Sequence, residues 1–213
     1  CLGVRKPEKT IYDIMEKLVK GEEITPNDCM ECIVTTDEGV DLLPANVKYA
    51  MMELEMSSAM SREHLLNEFV VMQRPFYDFI LIDCPPNVGL FVLNALTASD
   101  SVLIPVKLED LSIDGLQQLI QTIGMAKRRL NYNLEIEGIL FTIVETNTVL
   151  ARNSIEAIRE AYGEHVHIYD FVIPKSVKAA ECPGSGNSIY KYDPNGKVAK
   201  AYEVLTKEVL SNV

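Results

Sequence analysis

What the sequence lacks narrows the problem first. No apolar run in its 213 residues approaches the roughly 20 that a membrane-spanning helix needs. The stretch from Cys1 to Lys9 holds nothing resembling a signal peptide, so a cytoplasmic protein is expected. Cysteine is scarce: the five residues, at 1, 29, 32, 84 and 182, are odd in number and scattered, unlike a secreted disulfide framework. Cys29 and Cys32 form one C-x-x-C, which could be half a zinc site or a redox pair. No second C-x-x-C and no H-x-x-x-H follows it, and no thioredoxin-like strand-to-helix setting surrounds it, so chemistry there is disfavoured. Internal repeats and low-complexity segments are absent. No Ser/His/Asp arrangement stands out for nucleophilic catalysis.

Basic charge is also in short supply. The net charge of −11 argues against wrapping nucleic acid with the whole surface, though a local basic patch is compatible with it. Hydrophobic residues make up 47% of the chain and charged residues 24%, enough for one sizeable core, and a single domain over 1–213 is the economical expectation.

The clearest elements are short apolar runs separated by helical patterns. Phe79-Ile80-Leu81-Ile82, Val102-Leu103-Ile104 and Ile139-Leu140-Phe141 have strand length and are apolar on both faces, which suits parallel strands covered on both sides. Between the second and third runs, Leu116, Leu119, Ile120, Ile123 and Leu130 recur at helical spacing. Helices are also predicted over Ile11–Lys20, Val47–Met56, Arg62–Met72 and Asn153–Tyr162. Another follows the Asp193–Gly196 turn, carrying Val198, Ala201, Leu205 and Val209. Cys32–Thr35 and Val40–Leu43 read as short strands. The alternation implies an α/β fold, a doubly wound and mostly parallel sheet with helices on both faces.

Ligands of open α/β sheets bind beyond the carboxyl ends of the strands, which directs attention to acidic residues just after apolar runs. Asp83 is the best placed, with Cys84-Pro85-Pro86 stiffening the exit behind it. Such an aspartate can hold magnesium beside a nucleotide, as a Walker B carboxylate does, or it can cap the turn; spacing leaves both readings open. The phosphate-cradling pattern G-x-x-x-x-G-K-[ST] does not occur: the sole Gly-Lys pair, Gly196-Lys197, precedes Val198. Gly184-Ser185-Gly186 reads as a loop. His165 and His167 share a face of an expected solvated strand edge, and Lys127-Arg128-Arg129 ends a helix whose dipole favours cations.

The run Tyr77-Asp78-Phe79-Ile80-Leu81-Ile82-Asp83-Cys84-Pro85-Pro86 is similar to the Walker B segment of ParA/Soj partition ATPases, relatives of MinD. The resemblance continues through Gly89, Leu93-Asn94-Ala95-Leu96, Val102–Val106, Gly115-Leu116 and Leu134–Leu140. It extends to Val172-Ile173-Pro174-Lys175-Ser176-Val177-Lys178 and Tyr192-Asp193-Pro194. Upstream, Val40–Asn46 looks like the family's strand before a helix with alternating Glu, and Cys1–Asp13 resembles the segment after its second acidic strand. Essentially the whole chain takes part, in order.

The resemblance implies a P-loop NTPase-like sheet missing its first strands, because the family's Walker A loop lies before the matching point of Cys1. It implies ATP and Mg²⁺ in the intact form, nonspecific DNA and a ParB-type protein as partners, and a nucleotide-dependent homodimer at the nucleoid. Asp83 would hold the metal, Pro85 and Pro86 would belong to a switch region, and Pro174, Lys175, Ser176 and Val177 would line the adenine side. Ser176 stands where many relatives have asparagine. Arg152 and Lys178 fall where relatives carry DNA-backbone contacts. No residue is assigned a catalytic role, and the 213 residues alone are expected to hydrolyse little or no ATP. A non-catalytic module binding a ParB-type partner or DNA without nucleotide switching is the alternative. A MinD-like membrane-positioning protein is disfavoured, since the last helix carries both charge signs.

Overall fold

In a computed structural model the protein is described over residues 2–4, 6–108 and 113–212. The chain forms two compact units, residues 4–100 with 119–134, and residues 101–118 with 135–213 and the start of the chain.

The first unit is built from helices around a hairpin: α1 (Ile11–Val19), α2 (Pro26–Cys32), β1 (Val34–Thr35), β2 (Asp41–Leu42), α3 (Tyr49–Met56), α4 (Leu65–Gln73) and α5 (Leu90–Ala98). Local chemistry starts the first two. Thr10 and Asp13 make a capping box at α1, the Asp13 carboxylate accepting the Thr10 N–H at 2.8 Å. Thr25 and Asp28 repeat it at α2, where Pro26 occupies the first turn. The hairpin strands pair antiparallel, Val34 with Leu42 and Thr35 with Asp41. Ile14, Met15 and Leu18 of α1, Met52 and Met56 of α3, and Leu65, Leu66, Phe69 and Val70 of α4 make the core.

Cys29 and Cys32, three apart on α2, point into that core and are 1% exposed. Burial pushes the Cys32 thiol up to about 11, and Cys29 also upward. Raised, buried thiols are poor nucleophiles. The pair is core packing, and no group of three metal-ligating side chains occurs among the described residues.

The 79–82 run departs from expectation. Ile80 and Ile82 pack against the core, but Leu81 is 93% exposed and Phe79 47%, and no strand pairing reaches this segment among the described residues. Apolarity on both faces marks a strand meant to be covered twice, and a strand exists only through a ladder partner. The resemblance expects the P-loop strand beside this run; no described residue takes that place.

The second unit carries β3 (Ser101–Lys107), the first turns of α6 (Ile113–Arg129), β4 (Glu135–Thr142), α7 (Val149–Tyr162), α8 (Val177–Ser185), α9 (Ile189–Tyr192) and α10 (Lys197–Ser211). β3 and β4 are parallel from Ser101–Glu135 to Lys107–Thr142, with an irregularity that leaves Glu137 without a partner. Residues 168–174 follow β4 on its other edge by isolated parallel bridges, Ile139 with Ile168 and Val144 with Pro174. Leu140, Tyr169 and Ile173 meet Val198 and Leu205 of α10, which places the last helix as its pattern predicted. The α/β class with parallel pairing is as the alternation implied. His165 and His167 depart from the strand reading: His165 lies in a turn, and His167 pairs with Glu208 at 3.2 Å. Gly184 and Ser185 belong to α8, and Gly186 ends it in the left-handed conformation at φ 73°. No described helix is long and apolar enough to cross a membrane.

Candidate functional site

Asp83 stands at the end of the apolar run, exposed to solvent, where it accepts no hydrogen bond and forms no ion pair among the described residues. A carboxylate that caps a turn accepts a nearby N–H, so the capping reading loses its support. Behind it, Cys84 to Gly89 lead into α5, with Pro85 partly buried and Pro86 exposed.

That loop is held at its far end by α3. Gly89, the residue before α5, has no side chain to satisfy the helix's first N–H groups. Glu53 does so from α3, its Oε1 accepting the Leu90 N–H at 2.7 Å. One turn earlier on α3, Tyr49 stacks on Phe91 with ring centroids 4.3 Å apart and planes 17° from parallel. Burial, with the nearby Cys84 thiol adding to it, pushes the Tyr49 hydroxyl up to about 12. Sequence reasoning missed both residues; the alternating Glu53 and Glu55 of this helix were the available signal.

Asn94, 1% exposed, ties the next layer. Its Oδ1 accepts the Leu66 N–H at 3.0 Å, and its Nδ2 donates to the carbonyls of Arg62 at 2.8 Å and Leu90 at 2.9 Å. It thus caps α4, whose own preceding residue His64 makes no side-chain cap, and braces the first turn of α5.

The remaining predicted residues lie in the second unit. The Lys175 N–H donates to the Val144 carbonyl at 3.0 Å, and the Lys175 ammonium pairs with Glu145 at 2.5 Å. Ser176 caps α8 by accepting the Ala179 N–H at 3.5 Å, and Val177 opens that helix 75% exposed. Pro174 is half-buried on its bridge to Val144. Serine is a good residue at this position for helix initiation alone, which accounts for its presence without a base contact.

The two basic candidates differ. Arg152, on the exposed side of α7, has no ion pair among the described residues. Lys178 donates to Asp193 at 2.8 Å, a hydrogen bond that raises its pKa. Asp193 lies close to Gly196, where a Cβ would stand 2.1 Å from its Oδ2.

A family profile described as an AAA domain matches residues 1–136. The sporulation initiation inhibitor protein Soj of Bacillus subtilis is 38% identical over 99% of this chain and 81% of its own length. The chromosome partitioning protein ParA of Caulobacter vibrioides is 31% identical over 99% of this chain and 77% of its own. Among solved structures, cobyrinic acid a,c-diamide synthase from Mycobacterium smegmatis, with bound ATP analog and magnesium, superposes with a TM-score of 0.80. It is 26% identical, covering 98% of this chain and 76% of that one. A plasmid partition protein from Borrelia burgdorferi shares the fold at a TM-score of 0.65 and 20% identity, covering 100% of this chain and 76% of that one. Matches of this identity and extent show that the chain belongs to the ParA/Soj family of chromosome-partitioning ATPases.

Proposed function

We propose that this chain supplies the magnesium carboxylate, an adenine-side segment and a DNA-facing arginine to a DNA-partition ATPase. The observation that carries the reading is the state of Asp83: a solvent-facing carboxylate at the end of a core-anchored apolar run, with no competing partner among the described residues. Magnesium is commonly bound through one or two carboxylates with water and substrate phosphates completing six positions, and a lone free aspartate fits that donor set. When bound, the ion would neutralise charge developing on the phosphates. The protein's own part is to hold the Asp83 oxygens in place through α3 and α5.

Pro174 to Val177 fit the side of a nucleotide base in the family's manner, and Pro85 and Pro86 fit a segment that answers to the phosphates. In the intact protein this reading includes a nucleotide-dependent homodimer, nonspecific DNA and a ParB-type partner. Calorimetric titration of Mg²⁺-ATP into the chain and its Asp83→Ala variant tests it. Binding weakened roughly tenfold or more by the substitution supports the metal role. Binding that ignores the substitution sinks it. No binding at all, alongside salt-dependent DNA affinity, is the signature of a module that does not switch with nucleotide.

For DNA the two basic residues are expected to behave unequally. Arg152→Ala should reduce the slope of log affinity against log salt for a nonspecific duplex by about one, the loss of one phosphate contact. Lys178→Ala should change it less, because its ammonium already serves Asp193. Fluorescence anisotropy at several salt concentrations measures both. Equal effects would remove the distinction; no effect from either would remove the DNA reading of this face.

A further inference from the structure

We propose that α3 is the positioning element for the loop that carries Asp83, acting through Glu53 and Tyr49. The functional weight of this rests on reading Asp83 as a metal carboxylate; the mechanics rest on the contacts alone.

Residues 84–89 have few means of holding themselves. Cys84 makes one weak contact, its thiol 3.8 Å from the Ile82 carbonyl, and Gly89 brings no side chain. What defines the loop is its two ends, and α3 holds the far one. At the far end Glu53 accepts the Leu90 N–H, a charge-assisted bond at the positive end of a helix. Tyr49 and Glu53 are four apart, so they share a face of α3, and the stack of Tyr49 on Phe91 lies beside the Glu53 bond.

The carboxylate and Gly89 approach each other closely. A Cβ on Gly89 would stand 2.1 Å from Glu53 Oε1 and 3.1 Å from its carboxyl carbon. A Cβ there requires the Glu53 carboxylate to shift from its place on the Leu90 N–H. The helix doing the holding is itself immobilised. Met52 and Met56 are 0% exposed in the core, and Asn46, just before α3, donates to the Thr10 hydroxyl at 2.9 Å. A rigid helix thus contacts the Asp83 loop with one face and the hydrophobic core with another.

A cap that only stabilised α5 would lower global stability and leave Asp83 untouched. A positioning role predicts a local effect. Hydrogen exchange on the full 213-residue chain and on Glu53→Ala, Glu53→Gln and Gly89→Ala separates the two. Glu53→Ala should raise exchange at the amides of 84 and 87–91 roughly 10- to 100-fold relative to the amides of α4. Glu53→Gln, which keeps an acceptor oxygen, should restore most of that protection, and Gly89→Ala should mimic Glu53→Ala. Uniform change across the unit, or none at 84–91, overturns the proposal. A second arm follows paramagnetic broadening of amides near Asp83 by Mn²⁺. Broadening that weakens in Glu53→Ala and returns in Glu53→Gln supports a role in metal capture. Loss of loop protection with no broadening in the unsubstituted chain keeps α3 as the loop's anchor and fails the metal reading instead.

Discussion

Asn94→Ala is expected to lower the stability of the chain by ~2–4 kcal/mol, more than a surface cap removal would. The side chain is 1% exposed and satisfies both halves of its amide against backbone groups 28 and 32 residues away, as well as one in its own helix. Alanine would leave the Leu66 N–H and the Arg62 carbonyl without partners at a helix start that has no other cap. Each buried group so orphaned costs about 1–3 kcal/mol, and the cavity adds to it. Asn94→Asp sharpens the test. It preserves shape and the acceptor to Leu66, but sets a carboxylate oxygen against two carbonyls where an amide donated. It should be at least as damaging near neutral pH. Urea unfolding checks both, with an unchanged slope confirming that the denatured state is the same. Midpoints within error of the unsubstituted chain would show that water replaces the amide at no cost.

The strands and the terminal helix were legible because their signals are local. β3 and β4 carry the unbroken apolar runs Val102–Ile104 and Ile139–Phe141, as buried parallel strands do, and α10 repeats its core residues at helical spacing. The 79–82 run carried the same signal and fared differently: with Leu81 almost fully exposed, it shows that apolarity records the burial a strand is built for, whether or not its partner is present. α2 was missed although Thr25-Pro26-Asn27-Asp28 spells a helix start, because PNDCMEC has too little periodicity to follow the cap. Its two cysteines form a C-x-x-C whose metal or redox reading was disfavoured in sequence, and they are an i, i+3 core pair in space. α8 hid behind Pro183 and Gly184, both inside the helix.

The site divides along the same line. Asp83 could be found, since a carboxylate after an apolar run is a local feature with a known use. Glu53 and Asn94 could not, because their importance lies in partners more than 25 residues away, the Leu90 N–H 37 residues from Glu53 and the Leu66 N–H 28 from Asn94. Lys178, which the resemblance named as a DNA contact, shows the same limit: its ion pair with Asp193, 15 residues on, was not legible in the sequence. Motifs name candidate residues. Tertiary contacts show which of them already have partners.

The second large effect is expected at Gly138. A Cβ there would lie 2.8 Å from His167 Cδ2, 2.9 Å from Tyr169 Cε2 and 3.1 Å from the His167 carbonyl oxygen, at a φ of +158°. The Tyr169 ring cannot yield: it is 0% exposed and set edge-on between His167 and Phe171, with centroids 4.8 and 5.5 Å away. Gly138→Ala should therefore separate residues 167–169 from β4 and strain the 2.9 Å bond from the Ile139 N–H to the His167 carbonyl. A loss of ~2–4 kcal/mol is expected by thermal or urea unfolding, as for other overpacked core sites with added backbone strain. The same segment continues to Pro174, so the Val144 bridge that registers residues 174–177 should loosen with it. A second substitution tests the cause. His167→Ala removes one of the two opposing rings, and the double variant should recover part of the loss beyond additivity. Strict additivity would mean that the damage lies in the backbone conformation of Gly138 alone, and that the rings have room to move.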